Sequence, residues 1–282
     1  MRLACVQESP IFGDIDPNAV MIASRLNTLK AQGIDLVLYP EAYLTGYCYD
    51  SAEQAMSVAL PISGDENNIS WNHPLVDKIA ESVTQNDILL VVGTIAKDDK
   101  RLRNIAMLFE PGKPVCAYYK CHLPYMGVDR FVVPGYNIPV FETRLGNIGI
   151  NICFDLRHPE SFRIMGMNGA DLILLPTNWP DAPHTERDAL CRARAVENKI
   201  FFASCNRTGD ENGFQFRGRS GIYDFEGREL ALAKTGDEVI VADIDLTLAR
   251  EKTTVVPGME VTTIFESRRP DLYNDLIRIK KD

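Results

Sequence analysis

The chain of 282 residues is poor in the signatures that would quickly assign a chemistry. It has no GxGxxG and no GxxxxGK[ST]; Gly146-Asn147-Ile148-Gly149 is too short and follows no suitable strand. There is no HExxH, and the four histidines (73, 122, 158 and 184) do not fall at metal-ligand spacings. No GxSxG elbow is present. Apolar runs fall short of the roughly 18 residues that span a bilayer, so no membrane segment is expected. Basic charge is also scarce. A net charge of -9 argues against nucleic-acid or anionic-membrane partners, which call for a basic face.

What is present is ordinary in bulk: 45% hydrophobic and 24% charged residues, as in a soluble globular protein. Seven cysteines, an odd number without CxxC pairing, predict reduced thiols and a cytoplasmic setting. The chain also enters a strand at once, with no signal-peptide pattern, and the sequons at Asn68 and Asn206 then carry no meaning.

Residues 2–7 read as a strand. Asp16-Pro17 read as N-cap and first helical position, followed by apolar residues at helical spacing up to Gly33. Residues 35–39 form a buried strand broken by Pro40-Glu41, so the opening is β-α-β and the class α/β. Helices are predicted at 51–60 and 71–85 and a strand at 88–94. A hairpin joins 104–110 to 115–120 through Pro111-Gly112-Lys113-Pro114. A long loop follows, costly unless functional. The pattern then gives a helix at 161–168, a strand at 171–176, a helix at 188–198 and a strand at 200–205. An antiparallel meander runs from residue 214 to 244, and a C-terminal arm covers 260–282. No linker or repeat divides residues 1–282, which read as one domain.

Three apolar strands end in a reactive side chain: Val37-Leu38-Tyr39-Pro40-Glu41, Val115-Cys116-Ala117-Tyr118-Tyr119-Lys120, and Ile148-Gly149-Ile150-Asn151-Ile152-Cys153. Cys153 alone reads as a buried structural thiol. With a carboxylate and an ammonium converging on it at one sheet edge, it becomes a nucleophile. Glu41 would take the thiol proton, since a thiol with pKa of about 8.5 is mostly protonated at neutral pH. Lys120 would favour the thiolate and stabilise an oxyanion. The alternative is that Glu41 and Lys120 are solvated strand ends. A Cys–His pair through His122, His158 or His184 also stays open.

These stretches resemble the motifs of the nitrilase (carbon–nitrogen hydrolase) superfamily, in its amidase-like branch. Tyr39 through Tyr47 is similar to the glutamate motif. Tyr119-Lys120-Cys121-His122-Leu123-Pro124 resembles the lysine motif, and Gly149 through Glu160 the cysteine motif in its C-x-D-x-R-x-P-E form. Leu175 through Pro180, Arg194 through Asn198, Asn206-Arg207-Thr208-Gly209, Gly218-Arg219-Ser220 and Arg268 through Tyr273 extend the likeness over essentially the whole chain. The resemblance implies a four-layer αββα sandwich without cofactor or metal, forming a homodimer or higher homo-oligomer through its α layers. It implies Glu41 as general base, Lys120 as oxyanion stabiliser, Cys153 as nucleophile and the Phe154 N–H as a second oxyanion donor. The substrate would be a small linear amide, hydrolysed through a thioester. The alternatives are an N-carbamoyl amide hydrolase and a catalytically silent binding subunit. Nitrile hydrolysis fits less well, because nitrilases of the superfamily tend to follow the cysteine with Trp-Glu where this chain has Phe154-Asp155.

One departure stands out. The family commonly carries a second glutamate after the lysine, whereas between Lys120 and Phe131 the only acid is Asp129. Asp129 is the candidate for that role, against an ion pair with Arg130. Tyr47, Tyr125, Asn178 and Trp179 are expected in loops facing the cysteine, lining the substrate pocket or packing in the core. Asp155, Arg157 and Glu160 read as structural ion pairs or a subunit contact.

Overall fold

The structure is a computed structural model describing residues 1–99, 101–181, 187–254, 258 and 262–278. His184 and parts of the C-terminal arm therefore lie outside the described residues. The elements run β1 (Arg2–Gln7), α1 (Ile15–Lys30), β2 (Leu36–Leu38), α2 (Ala52–Val58), β3 (Leu60–Asp65), β4 (Asn68–Trp71), α3 (Pro74–Asn86), β5 (Leu89–Asp98), β6 (Arg101–Phe109) and β7 (Cys116–Tyr119). They continue with β8 (Val140–Thr143), β9 (Gly146–Ile150), α4 (Pro159–Met167), β10 (Leu172–Thr177), α5 (Arg187–Asn198), β11 (Phe201–Asn206), β12 (Thr208–Glu211), β13 (Phe214–Arg217), β14 (Gly221–Tyr223), β15 (Glu229–Leu232) and β16 (Glu238–Asp243).

Two sheets make the sandwich. In the first the order is β16-β1-β2-β5-β3-β4, with β6 on β5 and β7 on β6; in the second it is β15-β14-β11-β10-β9-β8. Strand alternation explains the layering. Leu3, Cys5, Leu36, Leu38, Leu89 and Val91 face the second sheet and pack into one core with Ile148, Ile150, Leu172 and Leu174. The intervening Ala4, Val6, Val37, Leu90 and Val92 face outward against Ile22, Leu26 and Leu29 of α1 and Leu75, Ile79 and Val83 of α3. Phe162 and Met165 of α4 and Cys191 and Ala195 of α5 cover the second sheet. The expected αββα sandwich is the one observed. No described helix is long and apolar enough to cross a membrane.

Three differences from the sequence reading bear on the layout of the sandwich. Helix α1 starts at Ile15 behind Asp14, so Pro17 lies within its first turn, where a missing N–H costs nothing. Trp71 ends β4 rather than starting a helix, because Asp65 Oδ1 accepts from the Asn67 and Asn68 N–H groups and turns β3 back on itself. The meander breaks after β15. Strand β16 crosses to the first sheet and pairs antiparallel with β1, from Arg2↔Asp243 to Gln7↔Glu238. That pairing covers an edge of β1 and turns Ile240 and Ala242 into the inter-sheet core.

Candidate active site

Glu41 follows β2 and Lys120 follows β7, both in the first sheet, whereas Cys153 follows β9 in the second. The three meet across the sandwich, between two sheets, not along one sheet edge as the sequence pattern suggested.

Glu41 is seated by close backbone approach. The Gly93 N–H donates to Pro40 O at 3.1 Å, and Leu44 N donates to Gly93 O at 3.1 Å. A Cβ on Gly93 would lie 2.3 Å from Ala42 N and 2.6 Å from Glu41 Cα, so only glycine fits on β5 here. Lys120 Nζ donates to Glu41 Oε1 at 2.7 Å and to Asp129 Oδ2 at 2.5 Å, with all three side chains buried. Asn104 on β6 joins the carboxylates, its Nδ2 donating to Glu41 Oε1 at 2.8 Å and to Asp129 Oδ1 at 2.9 Å. The Tyr47 hydroxyl donates to Asp129 Oδ2 at 2.8 Å, and the Lys120 ammonium stands over the Tyr47 ring, 5.7 Å from its centroid. Asp129 thus reaches the lysine; Arg130 instead bonds the Gly127 and Tyr49 carbonyls.

The electrostatics follow from burial. Desolvation raises the Glu41 pKa above the ordinary carboxylate value, opposed by the Lys120 cation and assisted by the Asp129 charge. Burial works against the Lys120 cation, but two adjacent carboxylates outweigh it and hold the ammonium charged. Burial, then the Glu41 charge, pushes the Cys153 thiol well above its ordinary value. The resting thiol is neutral.

Cys153 sits on a sharp junction. Strand β9 stops at Ile150, a 3-10 helix spans Cys153–Arg157, and α4 starts on Pro159, two residues before the helix expected from the sequence. The cysteine has φ +46°, a left-handed conformation rarely adopted by a side-chain-bearing residue. Asp155 stabilises the turn, accepting from Ile152 N (2.8 Å), His122 N (2.9 Å) and the Tyr118 hydroxyl (2.9 Å). His122 is also engaged through Nδ1 with Asp155 Oδ1 at 2.7 Å and stacks on His158 at 3.8 Å. Among the described residues no histidine hydrogen-bonds Cys153.

A cavity of about 230 Å³ opens onto Cys153, lined by Phe154, Asn178 and Trp179 and, at its polar side, Arg157 and Arg187. Larger hollows lie elsewhere. One of about 790 Å³ between α4 and residues 264–277 contains no thiol and none of the three converging side chains. Both Asn178 side-chain polar atoms and Glu41 Oε2 are buried without a hydrogen-bond partner. Arg187 lies over the Trp179 ring, 5.2 Å from the centroid, and burial lowers its pKa to about 10. Its neighbours Asp181 and Asp188 pair with Arg217 (2.8 Å) and Arg219 (3.0 Å).

Two of the expected lining residues are elsewhere. Tyr125 is 92% exposed and points to solvent beside the cavity, while its neighbours Pro124 and Met126 line it. Tyr47 is buried behind Lys120 and lines no part of the cavity. Arg157 is exposed at the cavity and, among the described residues, makes no ion pair. Asn104 and Arg187 were not singled out from sequence. Asn104 opens a predicted strand and Arg187 precedes a predicted helix, and neither position carries a signal of its own.

The sequence profile described as carbon-nitrogen hydrolase matches residues 2–253. A nitrilase of Pyrococcus abyssi is 31% identical, over 97% of this chain and 99% of its own. The 2-oxoglutaramate amidase of Bacillus subtilis is 26% identical, over 96% of this chain and 98% of its own. The crystal structure of an amidase from Nesterenkonia sp. superposes with a TM-score of 0.78 at 24% identity, covering 98% of this chain and 96% of that one. The chain belongs to the carbon-nitrogen hydrolase family, and its sandwich is the nitrilase fold.

Proposed function

We propose that the protein is a cofactor-independent amidase that hydrolyses the C–N bond of a small linear carboxamide through a thioester on Cys153. The observation that carries this reading is the buried Glu41–Lys120–Asp129 ion network beside a neutral thiol on a left-handed turn. Glu41, with its raised pKa, takes the thiol proton as sulfur bonds to the carbonyl carbon. Lys120 has three protons, of which the carboxylates engage two, leaving one for the developing oxyanion. The Phe154 N–H, in the first helical turn where donors lack intrahelical acceptors, is the second donor. Glu41 then returns the proton to the leaving nitrogen, ammonia departs, and water deprotonated by Glu41 hydrolyses the thioester to acid and free thiol.

Asn178 and Trp179 would hold the amide, since the unpartnered Asn178 can both donate to and accept from it. Arg157 and Arg187 at the polar side favour an amide whose far end is a carboxylate, in keeping with the 2-oxoglutaramate amidase among its relatives. Residues 1–282 acting as one domain, a cytoplasmic setting for seven unpaired thiols, and pairing of two copies through the α layers complete the proposal. Exposed Ile164, Met167, Leu276 and Ile277 support that pairing. The test is ammonia release from a panel of short amides with and without a terminal carboxylate, with mass spectrometry of trapped protein. A Cys153 acyl adduct is expected. Turnover that persists in Cys153→Ala would overturn the mechanism.

A further inference from the structure

One buried ion pair, Arg207 with Glu211, lies outside the proposed chemistry yet is tied to it. Arg207 Nη1 donates to Glu211 Oε2, and both side chains are almost wholly buried. They stand on or beside β12, in the hairpin inserted between β11 and β14 of the second sheet. The other Glu211 oxygen, Oε1, accepts from two successive backbone donors of a distant loop, Tyr47 N at 2.7 Å and Cys48 N at 2.6 Å. Asn212 Nδ2 adds a bond to Cys48 O at 2.7 Å.

The same loop grips the turn that carries Asp129. Val128 N donates to Tyr47 O at 2.8 Å, and the Tyr47 hydroxyl donates to Asp129 Oδ2, with Met126 O 3.2 Å from the same oxygen. The ring is pressed against the turn: a Cβ on Gly127, which has φ +50°, would lie 2.2 Å from Tyr47 Cε1. Tyr47 is thus a strut. Its N–H is fixed by Glu211, while its carbonyl, ring and hydroxyl are fixed to the 126–129 turn. Aspartate has a short side chain, so its 2.5 Å contact with Lys120 depends on where the turn backbone is held.

We propose that Glu211, held by Arg207, is a positioning residue for Lys120: it anchors residues 47–48 so that Tyr47 brings the short Asp129 side chain onto the ammonium. Glu211 reaches across 164 residues of sequence to Tyr47 and so acts on a contact it does not touch. This role rests on the amidase reading for its kinetic consequence, but its geometric half does not.

The experiment is a double-mutant cycle of Glu211→Gln and Tyr47→Phe on full-length protein, with kcat, KM and the acidic limb of the pH profile as readouts. Amide hydrogen exchange at residues 47–48 and 127–129 is followed in parallel. Glu211→Gln is expected to lower kcat about tenfold or more with KM nearly unchanged, to move the acidic limb, and to speed exchange in both segments. In the Tyr47→Phe background the same change is expected to cost less than in the wild type, because the hydroxyl bond to Asp129 is already cut while the carbonyl bond to Val128 N remains. Independent, multiplying effects, or exchange that rises at 47–48 but not at 127–129, would overturn the proposal. Should Glu211→Gln fail to fold, Glu211→Asp keeps the charge opposite Arg207 but falls a methylene short of the two N–H groups; it carries the same expectations and the same refutation. If Cys153→Ala remained active the amidase reading would fall, while the exchange result would still decide the strut.

Discussion

The two walls of the site are built on opposite rules. On the first sheet, Lys120, Glu41, Asp129, Asn104 and Tyr47 bond one another, and every charge faces an opposite charge or a donor. On the second sheet, a neutral thiol stands beside an asparagine with neither polar atom bonded and a guanidinium whose acidic neighbours are paired to other arginines. Buried polar groups are normally satisfied, and leaving one bare costs about 1–3 kcal/mol. The first wall is an ion network closed around the Lys120 ammonium, with Glu41 Oε2 and Asn104 Oδ1 left unpartnered, whereas on the second wall both polar atoms of Asn178 are in reserve for a ligand. Preorganisation and recognition are divided between the sheets.

Breaking the ion network of the first wall should have the largest effect. Lys120→Met leaves two buried carboxylates facing each other, so activity should fall below detection and stability by about 3–5 kcal/mol, read by ammonia release and urea titration. Asp129→Asn keeps the shape but removes one charge that holds the ammonium; a kcat loss of about 100-fold is expected, with KM little changed. The contrast between walls predicts the opposite pattern for Asn178→Ala. KM should rise about tenfold while thermal stability holds or increases, because the removed group has no native partner. If Asn178→Ala instead destabilised the fold as Lys120→Met does, the division of labour would be wrong. Titration sharpens the same point. Activity needs ionised Glu41, whose pKa burial raises, so kcat/KM should fall on acidification through an apparent pKa above the ordinary carboxylate range of about 4. An acidic limb at or below that range would mean the carboxylate is not the base. Smallest of all, Tyr125→Ala should change kcat/KM less than about twofold, since an exposed side chain outside the cavity makes no contact to lose.

The strand and helix pattern was legible in the sequence wherever one face is buried, as in β1, β5 and α3, because periods of 2 and 3.6 record which residues meet the core. The three reactive side chains were legible because each ends such a run. What stayed hidden is whatever depends on partners distant in the chain. Strand β16 reads as the end of a meander until β1 offers it an edge. The exchange of Tyr47 from pocket wall to strut follows from Glu211, more than 160 residues away. Asn104 looks like any strand residue until two carboxylates are brought to it. The shortness of Asp129 was visible, but the Tyr47 contacts that hold its turn were not.

Gly93 makes no hydrogen bond through a side chain and stands in the middle of a long buried strand. Yet the first carbon any other residue would add there lands on the backbone of Glu41. In a saturation library scored for turnover, position 93 should therefore be as intolerant as the nucleophile itself. Scored for solubility alone, Gly93→Ala would pass more often than it works. A constraint on chemistry is written at a site with no chemistry of its own, and a search for function by reactive groups would walk past it.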